Sequence, residues 1–105
     1  MTPFTEKVIR IIQSIPEGKV MTYGGIASAA GSPRGARQVV RILHSMSRNY
    51  KLPWHRVINA KGMIALTEDE SNSLQKLYLQ GEGITFNEKG AIDLDQFQFY
   101  PELED

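Results

Sequence analysis

Cysteine is absent from the 105 residues. That gap excludes a disulfide framework, a thiolate metal site and any thiol nucleophile. No run of 18 apolar residues is present to span a bilayer, and the N-terminus does not show the basic-then-apolar order of a secretory signal. A soluble, cytoplasmic protein without membrane contact is expected. Acidic residues are missing from the whole middle of the chain, with no Asp or Glu between Glu17 and Glu68. The length suits one domain, residues 1–105, around one core.

What fills the acid-free stretch is basic. Lys19, Arg34, Arg37, Arg41, Arg48, Lys51, Arg56 and Lys61 are eight of the twelve basic residues, so the middle carries +8. The two flanks together hold four bases against twelve acids. A net charge of zero therefore conceals two opposed regions, and the centre is suited to a polyanion. The plainer alternative is a solvated basic surface.

Apolar spacing organises the rest. Thr2 and Pro3 form an N-cap and first-turn proline, and Phe4, Val8, Ile11, Ile12 and Ile15 recur at helical spacing, predicting a helix over 3–15. After the turn Pro16-Glu17-Gly18-Lys19, Val20 to Tyr23 reads as a short extended lead. Tyr23 to Ala30 reads as a short helix ended by Gly31. Ser32 is expected to cap a second helix over about 33–47, with Pro33 in its first position, which makes the pair a helix-turn-helix candidate. In that second helix Arg34, Arg37, Arg41, His44 and Arg48 share one stripe, and Ala36, Val39, Val40, Leu43 and Met46 share the other. Uncompensated arginines on one stripe repel one another unless an anion is present.

Two hairpins are expected next, one pairing His55–Ile58 with Met63–Leu66 as a wing, the other pairing 84–86 with 92–94. Between them, Glu68-Asp69-Glu70 opens a helix with Leu74, Leu77 and Tyr78 facing inward, ended by Gly81 and Gly83. The fold class is therefore mostly helical α/β, a winged helix-turn-helix with small β-hairpins. The tail from Asp95 is aromatic and acidic, suited to ordered packing or a partner surface.

At Pro53-Trp54-His55-Arg56-Val57-Ile58 the chain resembles the O6-alkylguanine-DNA alkyltransferases, whose signature there is Pro-Cys-His-Arg-Val, with Trp54 in the place of the cysteine. Further matching stretches are Ile15-Pro16-x-Gly18, Thr22-Tyr23-Gly24, Ile26-Ala27, Ala36-Arg37-x-Val39 and Glu82-Gly83, spread from Phe4 to Phe86. With the cysteine replaced, the chain is similar to the alkyltransferase-like branch, which binds the same lesions without repairing them. The resemblance covers the DNA-binding, lesion-sensing part of the family.

The resemblance implies a role for each matching position. An indole offers a donor N–H and no usable lone pair, so Trp54 has no route to accept an alkyl group. It occupies the place where the family presents its reactive atom to a flipped base, where a ring would stack on that base. His55 and Glu82 become remnants of the proton relay, serving as a structural hydrogen-bonded pair. Tyr23 matches the tyrosine that helps rotate the target nucleotide; packing the start of its helix is an equal reading. The implied lesion pocket is Tyr23, Trp54, His55, Arg56 and Val57. Arg37 matches the arginine finger that fills the hole left by the extruded nucleotide, and Arg34, Gly35, Ala36, Gln38 and Arg41 complete the DNA-facing set. Gly35 and Ala36 are small, which suits close approach to the minor groove. Leu66-Thr67-Glu68-Asp69-Glu70 departs from the family's Gly-x-Tyr-Ser-Gly-Gly loop, putting base readout by that loop in doubt.

The expected function is thus binding of double-stranded DNA containing O6-alkylguanine, by a monomer without cofactor, metal or catalytic residue, handing the lesion to nucleotide excision repair proteins. In a bacterium it would associate with the nucleoid. A winged-helix transcription regulator is the alternative, and it would read undamaged sequence through the major groove.

Overall fold

Thr2 opens the first helix as expected: its side chain accepts from Thr5 N–H at 3.2 Å, and Pro3 stands at the first helical position. This computed structural model describes residues 1–64 and 70–102. Helix α1 (Pro3–Ser14) buries Val8, Ile9, Ile11 and Ile12 on the stripe that its spacing dictates. The turn after it closes through Lys19 N–H to Pro16 O at 3.2 Å, with Gly18 at φ +85°, a conformation that favours glycine.

Strand β1 (Met21–Thr22) leads directly into α2 (Tyr23–Ala29), whose cap is Thr22 accepting from Gly25 N–H at 2.9 Å. Helix α3 is Ala36–Tyr50, starting and ending three residues later than its apolar spacing suggests. Ser32 does not cap it. Residues 32–35 instead form a turn closed by Gly35 N–H to Ser32 O at 2.8 Å, and Gly35 is the N-cap, with no side-chain bond. Arg34 consequently precedes the helix. Val40, expected on the core side, is 37% exposed, whereas Ile42 is 8% exposed. With Val39 at the centre of the buried face, Ile42 and Leu43 follow at three and four residues, while Val40 is turned about 100° away.

A single 3₁₀ turn (Trp54–Arg56) then feeds β2 (Val57–Ile58), which pairs in parallel with β1, Met21 opposite Val57 and Thr22 opposite Ile58. This corrects the expected wing. His55 and Arg56 belong to the 3₁₀ turn, and β2 pairs across α2 and α3 rather than with Met63. Asn59 still closes a local turn, its N–H bonding Met63 O at 3.0 Å, while Ala65 and Leu66 lie outside the described residues. The second hairpin survives as a bridge between Phe86 and Ile92; Leu94 instead begins α5 (Leu94–Phe97).

The short sheet divides the core, because successive strand residues point to opposite faces. Met21 and Val57 join the cluster of α1, α2 and α3, with Leu52; Val20 and Ile58 join Leu79, Ile84, Ile92 and Phe97. Helix α4 (Glu70–Gly81) packs on the second cluster through Leu79, and Gln75 is buried with it. Leu74, Leu77 and Tyr78, expected inside, are 40%, 63% and 44% exposed. No helix among the described residues is long and apolar enough to cross a membrane.

Candidate nucleic-acid interface

Helix α3 presents Arg37, Gln38, Arg41, His44 and Arg48 on its exposed side, and Arg34 is exposed in the turn ahead of it. The five-residue stripe is therefore four helical residues plus one from the turn. Gly35 is buried: a Cβ there would stand 2.9 Å from the Phe4 ring and 3.1 Å from Ser32 O. Its small size serves packing inside the protein, beyond any approach of DNA. Ala36 is half-buried beside it.

Residues Trp54–Arg56 are turned by hydrogen bonds from Trp54 N–H to Leu52 O at 2.8 Å and from Arg56 N–H to Pro53 O at 3.0 Å. The turn directs three consecutive side chains to different partners. Trp54 is half-buried against the first core cluster, edge-on to His55 and to Tyr78, both at 6.1 Å between ring centroids. His55 and Tyr78 meet edge-on at 5.5 Å, so the three rings touch pairwise. Tyr23 is half-buried against the same cluster, and burial raises its phenol above the usual 10.0.

Glu82 draws the site together. His55 Nε2 donates to Glu82 Oε2 at 2.6 Å, and Gly18 N–H donates to Oε1 at 3.1 Å. Arg56 grips both oxygens, Nε to Oε1 at 3.0 Å and Nη2 to Oε2 at 2.8 Å, while Nη1 donates to Ile15 O at 2.9 Å. Burial acts to raise the Glu82 pKa, but the hydrogen bonds from Arg56, His55 and Gly18 override it and lower it from 4.5 to about 2. The carboxylate is fixed in its ionised form.

The expected pair His55 and Glu82 is thus brought together, and Arg56 joins it. Arg56, expected in the lesion pocket, turns its guanidinium to Glu82 and Ile15 O. Val57, expected in the pocket, is 1% exposed, with its side chain in the first core cluster. The loop Leu66-Thr67-Glu68-Asp69 lies outside the described residues. Gln75 and Tyr78 join the site, the first not expected at all and the second expected only as core: Gln75 donates to His55 O and Val57 O, both at 3.0 Å, and Tyr78 supplies the third ring. A polar residue four positions before Leu79, on the same helical face, was the available signal for Gln75.

The family described as "6-O-methylguanine DNA methyltransferase, DNA binding domain" matches residues 3–84. The DNA base-flipping protein of Escherichia coli (strain K12) is 43% identical over 96 residues, covering 91% of this chain and 74% of that protein. Alkyltransferase-like protein 1 of Schizosaccharomyces pombe is 40% identical over 85 residues, covering 80% of this chain and 79% of its own. The crystal structure of S. pombe Atl1 with damaged DNA containing O6-carboxymethylguanine superposes with a TM-score of 0.79 at 35% identity, over 96% of this chain and 98% of that one. The chain belongs to this alkyltransferase DNA-binding family, in its alkyltransferase-like branch.

Proposed function

We propose that this protein binds double-stranded DNA containing O6-alkylguanine, turns the damaged nucleotide out of the helix, and leaves the alkyl group in place. The observation that carries the reading is Trp54, seated at the family's acceptor position and backed by the intact His55–Glu82–Arg56 network. At that position stands an aromatic ring, which can stack on a base but has no thiol to take up an alkyl group. Relatives named for base flipping, and a related structure holding an O6-carboxymethylguanine duplex, support the same substrate.

Energetically, the ring takes over from the thiol. Unstacking a base costs a few kcal/mol, and stacking it on an aromatic side chain returns about 1 to 3 kcal/mol. Arg37, exposed on α3, fills the vacated space with a planar guanidinium able to stack and to bond the orphaned base. Tyr23 assists rotation of the nucleotide. Arg34, Gln38 and Arg41 hold the backbone around it, and the small Ala36 at the start of α3, seated on the buried Gly35, leaves room for close approach. The molecule acts as a monomer in the cytoplasm or on the nucleoid. Because the chain has no cysteine thiol to take up the alkyl group, the marked lesion passes to nucleotide excision repair.

Competition between matched duplexes with and without O6-methylguanine tests the reading. Preference for the lesion in any sequence context is expected, with no label transferred from alkyl-labelled DNA to protein. Equal binding of both duplexes, or sequence-specific binding of undamaged DNA, would favour a transcription regulator, and covalent label on the protein would make it an enzyme.

A further inference from the structure

Gln75 is one of two buried polar side chains among the described residues, at 3% exposure, and its amide nitrogen donates to His55 O and Val57 O. Both partners are carbonyl oxygens, so only the nitrogen of the amide can face them; a flipped amide would set oxygen against oxygen. The two bonds bracket Arg56 and follow Trp54 directly. The first half of this turn is tied within its own stretch of chain, through Leu52 O, Pro53 O and Trp54 O. The second half is tied to α4, by Gln75. The same helix lays the Tyr78 ring edge-on against Trp54 and His55. Helix α4 therefore holds the turn at its backbone and at its rings.

We propose that Gln75 is a positioning residue for base recognition, fixing the Trp54–Val57 backbone so that the Trp54 ring is held ready for the extruded base. The proposal rests on the reading of Trp54 as the residue that meets that base. Preorganisation is the physical point, because a ring already immobilised loses less freedom when a base stacks on it. Binding to undamaged duplex, carried by phosphate contacts, does not use the ring and is independent of Gln75.

Two substitutions separate positioning from packing. Gln75→Met keeps bulk and burial without a donor, and Gln75→Glu keeps the shape but turns a second oxygen toward the carbonyls. In both, the ratio of lesion to undamaged affinity should fall by about tenfold, the worth of one or two hydrogen bonds, with undamaged binding nearly constant. Trp54 is the sole tryptophan, so its emission in the free variants should report a less fixed ring by lower anisotropy. Lowering the pH should protonate the buried carboxyl of Gln75→Glu, supply one donor and restore part of the ratio, leaving Gln75→Met unchanged. A lower melting temperature with the ratio and the Trp54 anisotropy intact would make Gln75 a packing residue and overturn the proposal. Wild-type protein without lesion preference would sink the reading of Trp54 instead, while the anisotropy would still decide whether Gln75 fixes the ring. Should neither variant fold, hydrogen exchange of the Gln75 side-chain amide decides: protection in free protein and in the lesion complex supports positioning, and rapid exchange in the complex overturns it.

Discussion

Glu82 receives hydrogen bonds from three residues in two distant parts of the chain: Gly18 in the first turn, and His55 and Arg56 in the 3₁₀ turn. Its folded pKa of about 2 lies below the ordinary 4.5, so its stabilisation is complete above pH 4.5 and is lost as the pH falls toward 2. Thermal melts should show the wild type losing stability through that window. Glu82→Gln removes the carboxylate, leaves Arg56 part-buried without its counter-charge, and should cost about 3 kcal/mol at neutral pH. The gap between variant and wild type should close as the solution is acidified from 4.5 to 2. Parallel curves would mean that Glu82 contributes no titrating stabilisation. The pairing of His55 with Glu82 was legible through the family resemblance. The pairing of Arg56 with Glu82 was not, because its acid-free stretch offers no counter-charge until the fold brings Glu82 to it from 26 residues away.

Among the elements, the ones legible in the sequence are those whose signals are local. Thr2 with Pro3, the short helix that starts at Tyr23, and the apolar spacing of α1 all declare themselves within a few residues. What the sequence conceals depends on distant partners. Strand β2 pairs with β1 across two helices, so no turn residue announces it, and a short apolar run after His55 looks like half of a hairpin. Helix α4 buries Gln75 and Leu79 while exposing Leu77, an inversion of ordinary polarity that comes from the carbonyls of the turn beneath it. Helix α3 yields the sharpest prediction at this scale, since Arg37 and Arg41 are both exposed on it, one turn apart. Arg41→Ala should weaken lesion and undamaged duplexes alike, by loss of a phosphate contact. Arg37→Ala should lower lesion affinity by about 1 to 3 kcal/mol, the scale of a lost base-stacking group, and undamaged affinity much less. A fluorescent base analogue beside the lesion would report extrusion, which should persist in Arg41→Ala and fail in Arg37→Ala. Identical losses in the two variants would reduce Arg37 to a phosphate clamp.

Across the whole molecule, six of the eight basic residues of the acid-free middle segment are exposed and two are engaged within the protein. Arg34, Arg37, Arg41, Arg48, Lys51 and Lys61 are exposed, whereas Arg56 is neutralised by Glu82, and Lys19 donates to Gln96 O at 3.1 Å. With Arg37 assigned to the base stack, five exposed cations of the middle segment remain for the phosphate backbone. Neutralising about four or five phosphates gives a slope of about −4 in a plot of log affinity against log salt, from roughly 0.9 counterions released per contact. This slope should be nearly the same for lesion and undamaged duplexes, because both share the backbone contacts and differ in the base. Replacing Lys61 or Arg48 should reduce it by about one unit if that side chain reaches a phosphate. Replacing Arg56 should destabilise the fold through Glu82 and Ile15, and in whatever fraction remains folded the slope should be unchanged. Binding titrations over a series of salt concentrations, paired with melting curves for each variant, separate the two kinds of arginine. A slope near zero for the wild type would make the basic surface a solvated face, and a slope that drops by one with Arg56→Ala would return that residue to the DNA.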